Sequence, residues 1–210
     1  MRKGIFFDLD GTLADNLDLM FDVYEKFLAG FGHSATLLEF NLLNGPPLPQ
    51  VVSLLKEKYS LDGTSETLLK TYHALLDESY MCAQPTPGSR KILEKAKNAG
   101  RVVAIVTSNS QRRAAMWLEH NNMASFVDFI VSGDDCDGKP SPAPYKVAMD
   151  KGKCSAEQCI AVEDSLQGIQ SAVAAGIRTF CYTNGRNQDI LLPENVRRIN
   201  HFDELNELIE

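Results

Sequence analysis

Residues 5–15 read Ile-Phe-Phe-Asp-Leu-Asp-Gly-Thr-Leu-Ala-Asp. An apolar run ending in Asp8, followed by Asp10, Gly11 and Thr12, predicts a buried strand that opens into a carboxylate-bearing turn. Burying unpaired carboxylates is costly unless a counter-charge is present. A divalent cation bound through oxygen would supply one.

Working outward, the chain changes period twice. Residues 16–31 carry Leu17, Met20, Phe21, Tyr24, Phe27, Leu28 and Phe31, spaced as one face of a helix that Gly30 and Gly32 end. Further helices are expected near 48–59 and from about 65 to 82, with Asn44-Gly45-Pro46-Pro47 as the breaker between the first two. Residues 16–82 therefore read as all-helical. From Gly88 the pattern alternates. Helices are expected at 88–99, 111–121, 143–151, 166–175 and 202–209, and strands at 101–107, 127–132, 158–163 and 177–182. Mostly apolar strands separated by helices predict an α/β fold: a Rossmann-like parallel sheet with helices on both faces. Asp8 then stands at the C-terminal end of the first strand, the edge where open α/β sheets bind ligands.

Composition narrows the function classes. The 210 residues are 44% hydrophobic, enough for a sizeable core, and the net charge is −7 with no Lys/Arg-rich run, which argues against nucleic-acid binding. No stretch approaches a membrane span, and the first residues lack a basic and apolar leader. Five cysteines without a Cys-x-x-Cys pair suit reduced thiols, so a cytoplasmic location is expected. His33, His73, His120 and His201 are isolated in sequence and read as surface or packing residues. Oligomeric state is not readable.

Three further expected strand ends carry polar groups. Thr107-Ser108-Asn109 offers a hydroxyl and backbone N–H groups leading into a helix, which suits a phosphate oxygen; an ordinary helix cap by Ser108 or Asn109 is the alternative. Lys139-Pro140 lies in a loop stiffened by Gly138 and Pro142. That lysine pairs either with phosphate and a nucleophilic carboxylate, or only with solvent. Glu163-Asp164-Ser165, followed by Gly168, repeats the logic of Asp8 and Asp10, or else marks an acidic helix N-terminus.

Asp-x-Asp-Gly-Thr, Thr-Ser, Lys-Pro and Glu-Asp, in this order at successive strand ends, resemble the four-motif series of the haloacid dehalogenase-like superfamily over nearly the whole chain. The helical insert resembles the small cap of its phosphoglycolate phosphatase and β-phosphoglucomutase branch. The resemblance implies an α/β catalytic core at 1–15 and 86–210, with a helical cap at 16–85. It implies Asp8 as nucleophile, forming an aspartyl-phosphate, and Asp10 as general acid and base. It also implies Mg²⁺ held by Asp8, the Asp10 main-chain carbonyl and Asp164, and phosphate bound by Thr107, the Ser108 N–H and Lys139. Glu163 would bind the metal directly or through water. The expected activity is Mg²⁺-dependent hydrolysis of a small phosphate monoester: phosphoglycolate-like, a sugar phosphate or a nucleotide.

A sugar phosphomutase is the alternative. The β-phosphoglucomutase branch carries a histidine early in the first cap helix, where this chain has Met20, and a cap arginine, whereas residues 15–85 contain none. Both departures favour hydrolysis. Carbon–halogen cleavage is disfavoured by Asp10 and the Glu163-Asp164 pair, and an inert binding module would not need the full set. Without a cap arginine, Lys56 or Lys58 is the expected partner for any substrate carboxylate.

Overall fold

Ile5 and Phe7 point to one side of the first strand and Phe6 to the other, and all three are fully buried. The same alternation recurs in the neighbouring strands. Val103, Ile105, Ile160 and Val162 join the core of Ile5 and Phe7, while Ala104, Val106, Cys159 and Ala161 join that of Phe6. A sheet that is apolar on both faces must be covered on both, and here it is.

The computed structural model describes residues 3–43 and 46–209. In chain order the elements are β1 (Gly4–Phe7), β2 (Ala14–Asp15), α1 (Leu17–Ala29), α2 (Leu37–Leu43), α3 (Leu48–Tyr59), α4 (Ser65–Tyr80) and β3 (Gln84–Pro85). Then come α5 (Ser89–Asn98), β4 (Val102–Val106), α6 (Gln111–His120), β5 (Phe129–Val131) and α7 (Ala143–Gly152). The chain finishes with β6 (Cys159–Glu163), α8 (Leu166–Ala174), β7 (Arg178–Tyr182), β8 (Arg197–Ile199) and α9 (Asn206–Ile209).

Six strands form a parallel sheet in the order β5-β4-β1-β6-β7-β8. The chain runs outward on one side of β1 through β4 and β5, then returns to fill the other side. This reversal of strand order beside β1 leaves a crevice at the C-terminal edge, where ligand sites form. Ile92 and Leu93 of α5 and Trp117 of α6 cover one face; Tyr145 and Ala148 of α7 and Ala172 of α8 cover the other.

The helices between β2 and β3 have a hydrophobic cluster of their own, centred on Tyr24, Phe27, Val52, Leu55, Leu68 and Tyr72. The chain leaves and re-enters the sheet region through a two-stranded antiparallel ribbon, with Ala14 opposite Pro85 and Asp15 opposite Gln84. No described helix is long and apolar enough to cross a membrane.

The expected elements match these closely, apart from the ribbon of β2 and β3, which was not expected, and four other differences. Helix α2 was not expected: only its Phe40 is buried, while Leu38 and Leu42 are exposed, so its leucines do not trace an inward face. Asn44 and Gly45 of the expected breaker lie outside the described residues. Strand β8, Arg-Arg-Ile, is a short charged edge strand with no alternating apolar signal. The final helix is split into a 3₁₀ turn, Phe202–Leu205, followed by the four-residue α9. Arg101, expected to open a strand, precedes it. Its buried guanidinium donates to the carbonyls of Leu208 and Ile209, with Nε to the Ile209 oxygen at 3.0 Å.

Candidate active site

The C-terminal ends of β1, β4 and β6 bring the four sequence motifs together. Asp8 is the first residue past β1, and its backbone N–H bonds the Val162 carbonyl of β6 at 2.9 Å. Lys139 is not a solvated loop residue but 4% exposed, and its Nζ reaches Asp8 Oδ1 at 2.6 Å, Glu163 Oε1 at 2.5 Å and the Val106 carbonyl at 2.9 Å. Asp164 Oδ2 accepts from Asn184 Nδ2 at 2.7 Å. Asp8, Asp10, Thr107, Ser108, Lys139 and Asp164 all line one cavity of about 200 Å³.

The ordinary explanations for two motifs fail. The N-cap of α6 is Ser110, whose side chain accepts from the Arg113 N–H; it is neither Ser108 nor Asn109. The N-cap of α8 is Ser165, bonded to the Gly168 N–H, while Glu163 is the last residue of β6. The carboxylates are therefore not helix-end decoration.

Two glycines make this packing possible. At Gly11, φ is +78°, and a Cβ would lie 2.3 Å from Asp164 Oδ2. At Gly168, a Cβ would lie 1.9 Å from Glu163 Oε2. Any larger residue at either position would displace a carboxylate.

Electrostatically the cluster is short of positive charge. Ligand oxygens of Asp8, Glu163 and Asp164 lie within 4.8 Å of one another, all buried, facing the single ammonium of Lys139. Burial pushes the Asp164 carboxyl up to about 8, with Glu163 adding repulsion and Lys139 opposing. Burial likewise raises Asp8 well above the usual carboxylate range, against the pull of Lys139. Glu163 is held by Lys139 and by the Tyr145 hydroxyl at 2.5 Å, yet its buried Oε2 has no hydrogen-bond partner among the described residues. An all-oxygen donor set with surplus negative charge fits a hard divalent cation.

Asp10 sits beside this cluster under different control. Its Oδ1 accepts from Asn16 Nδ2 at 2.6 Å and from the Tyr80 hydroxyl, and its Oδ2 accepts from Asn109 Nδ2 at 3.2 Å. Burial, then the Asp10 charge, pushes the Tyr80 phenol well above its ordinary value, so it remains a hydroxyl. A hydroxyl both donates and accepts, so Tyr80 serves Asp10 whether or not the carboxyl carries a proton.

Sequence reasoning missed this second layer: Asn16, Tyr80, Asn109, Asn184, Arg113 and His73. The Asn184-Gly185 turn after β7 was a visible signal at a fifth strand end; nothing in the local sequence marked Tyr80. Two expectations are corrected. His73 lines the cavity, its Nδ1 3.0 Å from Arg113 Nη2, instead of serving only as packing or surface. Neither Lys56 nor Lys58 lines the cavity; Lys58 pairs with Glu39 at 2.6 Å.

Comparison with known proteins agrees with the geometry. The family model described as haloacid dehalogenase-like hydrolase matches residues 5–182. A phosphorylated carbohydrates phosphatase of Thermotoga maritima is 28% identical over 177 residues, covering 83% of this chain and 82% of that protein. A phosphoglycolate phosphatase of Aliivibrio fischeri is 28% identical over 194 residues, covering 88% and 86%. The crystal structure of CbbY from Rhodobacter sphaeroides in complex with phosphate shares the fold, with a TM-score of 0.85 and 23% identity over 98% of this chain and 96% of that one.

Proposed function

This chain belongs to the haloacid dehalogenase-like hydrolase family, and we propose that it is a divalent-metal-dependent phosphatase that hydrolyses a small phosphate monoester through an aspartyl-phosphate on Asp8. The observation that carries this reading is the meeting of Asp8, Lys139 and Asp164 at the edge of β1 and β6, with Asp10 lining the same cavity. Residues 1–15 and 86–210 act as the catalytic core, and residues 16–85 as a cap over its charged edge. The five cysteines are free thiols, which supports a cytoplasmic setting.

In the first step an Asp8 oxygen attacks phosphorus, the P–O ester bond breaks, and its electron pair leaves on the alcohol oxygen. Asp10 delivers a proton to that oxygen, and then takes one from the water that attacks the phosphorus of the intermediate, releasing phosphate and restoring Asp8. Thr107, the Ser108 N–H and Lys139 hold the phosphoryl oxygens during both transfers. Asp8, Asp164 and the Asp10 carbonyl, with Glu163 alongside, would hold Mg²⁺, which when bound offsets negative charge on the carboxylates and the phosphoryl group.

The test is phosphate release in Mg²⁺ and in EDTA across glycolate, hexose, pentose and nucleoside monophosphates. Release in Mg²⁺ that EDTA abolishes is expected. Isomerisation of glucose 1-phosphate primed with bisphosphate, without release, would make the protein a mutase instead.

Lys139→Ala removes the one ammonium facing three carboxylates. Competitive inhibition by orthovanadate is expected to weaken by roughly 2 kcal/mol or more, the lower end of what losing one partner of a buried ion pair costs. An unchanged inhibition constant would assign Lys139 to a structural role alone.

A further inference from the structure

The cavity has two unlike halves. Its floor carries the charged groups described above. Its walls are built by the helical insert from Met20 on α1, Phe40 and Leu43 on α2, Leu48 and Val51 on α3, and Leu76 on α4. The alcohol portion of a bound ester must lie against these walls, because the phosphoryl group occupies the floor.

Among the described residues, no lining cation is left over for a second anion. Lys139 is shared between Asp8 and Glu163. Arg113 is 4% exposed and each of its three guanidinium nitrogens has a partner: Nε meets Asp77 at 2.9 Å, Nη1 meets Asn109 at 2.5 Å, and Nη2 meets Asp77 at 2.7 Å and His73 at 3.0 Å. A carboxylate or second phosphate brought against the helical walls would lose water and gain no ion pair. The lining residue Asp134 would repel it further.

The wall does have a neutral polar point. Arg113 can only donate, so Nδ1 of His73 accepts and the ring proton of the neutral imidazole sits on Nε2. Burial, then the nearby Arg113 charge, lowers the His73 pKa and favours that neutral form. Nε2–H is a donor for an uncharged oxygen or ring nitrogen. It offers no ion pair.

We infer that the preferred substrate is a phosphate monoester whose alcohol portion is largely apolar, bears no second anionic group, and packs against Met20, Phe40, Val51 and Leu76. This rests on the phosphatase reading, since it concerns the same cavity. It separates the chain from phosphoglycolate and from the bisphosphate of a mutase. Glycolate carries a carboxylate, and a mutase intermediate carries a second phosphate.

The experiment compares benzyl phosphate with 2-phosphoglycolate and glycerol 3-phosphate in Mg²⁺, with acetyl phosphate, which has almost no leaving portion to seat, as a control for the chemistry. We expect kcat/KM for benzyl phosphate to exceed that for 2-phosphoglycolate by at least about tenfold, the order set by one matched apolar group. Equal or better turnover of 2-phosphoglycolate overturns the inference while leaving the phosphatase reading intact. Met20→Lys places a cation in the wall and is expected to shift the preference toward 2-phosphoglycolate; an unshifted preference in a folded variant counts against the assigned wall.

Binding of non-hydrolysable analogues to the unmodified protein, followed by calorimetry, needs neither turnover nor a variant. Tighter binding of 2-phenylethylphosphonate than of 3-phosphonopropionate supports the inference even if no ester is hydrolysed, in which case only the phosphatase reading falls. The reverse order overturns it.

Discussion

Asp8→Asn is expected to lower turnover by about 10⁴-fold or more, the scale seen when a covalent nucleophile is removed. The amide keeps the shape of the carboxyl group but lacks the charged oxygen that would attack phosphorus. The change also replaces one of three carboxyl groups packed within 4.8 Å of one another, at a position where burial already disfavours the charged form. Glu163 still pairs with Lys139 at 2.5 Å, so the ammonium is not orphaned. The thermal midpoint in EDTA should therefore not fall. Quenching the unaltered protein in acid during turnover of a radiolabelled ester should trap a hydroxylamine-labile label, and the variant should trap none. Turnover above about one per cent of the unaltered protein would defeat covalent catalysis at Asp8.

The second large effect is on Asp10, and its signature depends on the leaving group. With an alkyl phosphate, whose alkoxide needs a proton as it departs, Asp10→Asn should slow the first step by about 10²–10⁴-fold. With p-nitrophenyl phosphate the departing phenolate needs little help, so the first step should survive. Water attack on the intermediate still lacks its base. The variant should then release one equivalent of p-nitrophenolate per enzyme in a burst, followed by a slow steady state. Burst rates lowered equally for both esters would count against Asp10 as the acid. The contacts from Asn16 at 2.6 Å and Asn109 at 3.2 Å hold the substituted side chain in place only in part, since the amide nitrogen cannot accept. A melting curve on the variant separates lost chemistry from lost order.

How far the sequence could be read depended on where each signal was stored. The strands around Asp8 were legible because both sheet faces are buried, so β1, β4 and β6 are unbroken apolar runs with polar residues at their ends. Helices α3 and α4 were legible because their inward leucines keep a helical period. Helix α2 was not, because Leu37, Leu38 and Leu42 face outward. Asp8, Thr107 and Asp164 fell together because each sits one step beyond a strand of the same sheet, and Lys139 reaches Asp8 from the loop between β5 and α7. Tyr80, Arg113 and His73 were hidden for the opposite reason. Their partners lie dozens of residues away, on helices whose packing no local pattern encodes: Tyr80 to Asp10 across 70 residues, and Arg113 to His73 across 40. The insert contains no arginine. What the sequence could not show was that the core supplies one, from α6, and occupies every arm of it.

The ribbon of β2 and β3 has a mechanical implication. Asn16 directly follows one of its strands, and Tyr80 closes the helix that leads to the other. Both donate to the same oxygen of Asp10. Any rotation of the helices about that ribbon displaces both donors in a single movement. Under the mechanism proposed above, access to the cavity and the aim of Asp10 as proton donor would then lie along one coordinate. A substitution in the ribbon, far from any group that meets phosphate, would act on the rate of leaving-group departure before it acted on phosphate affinity.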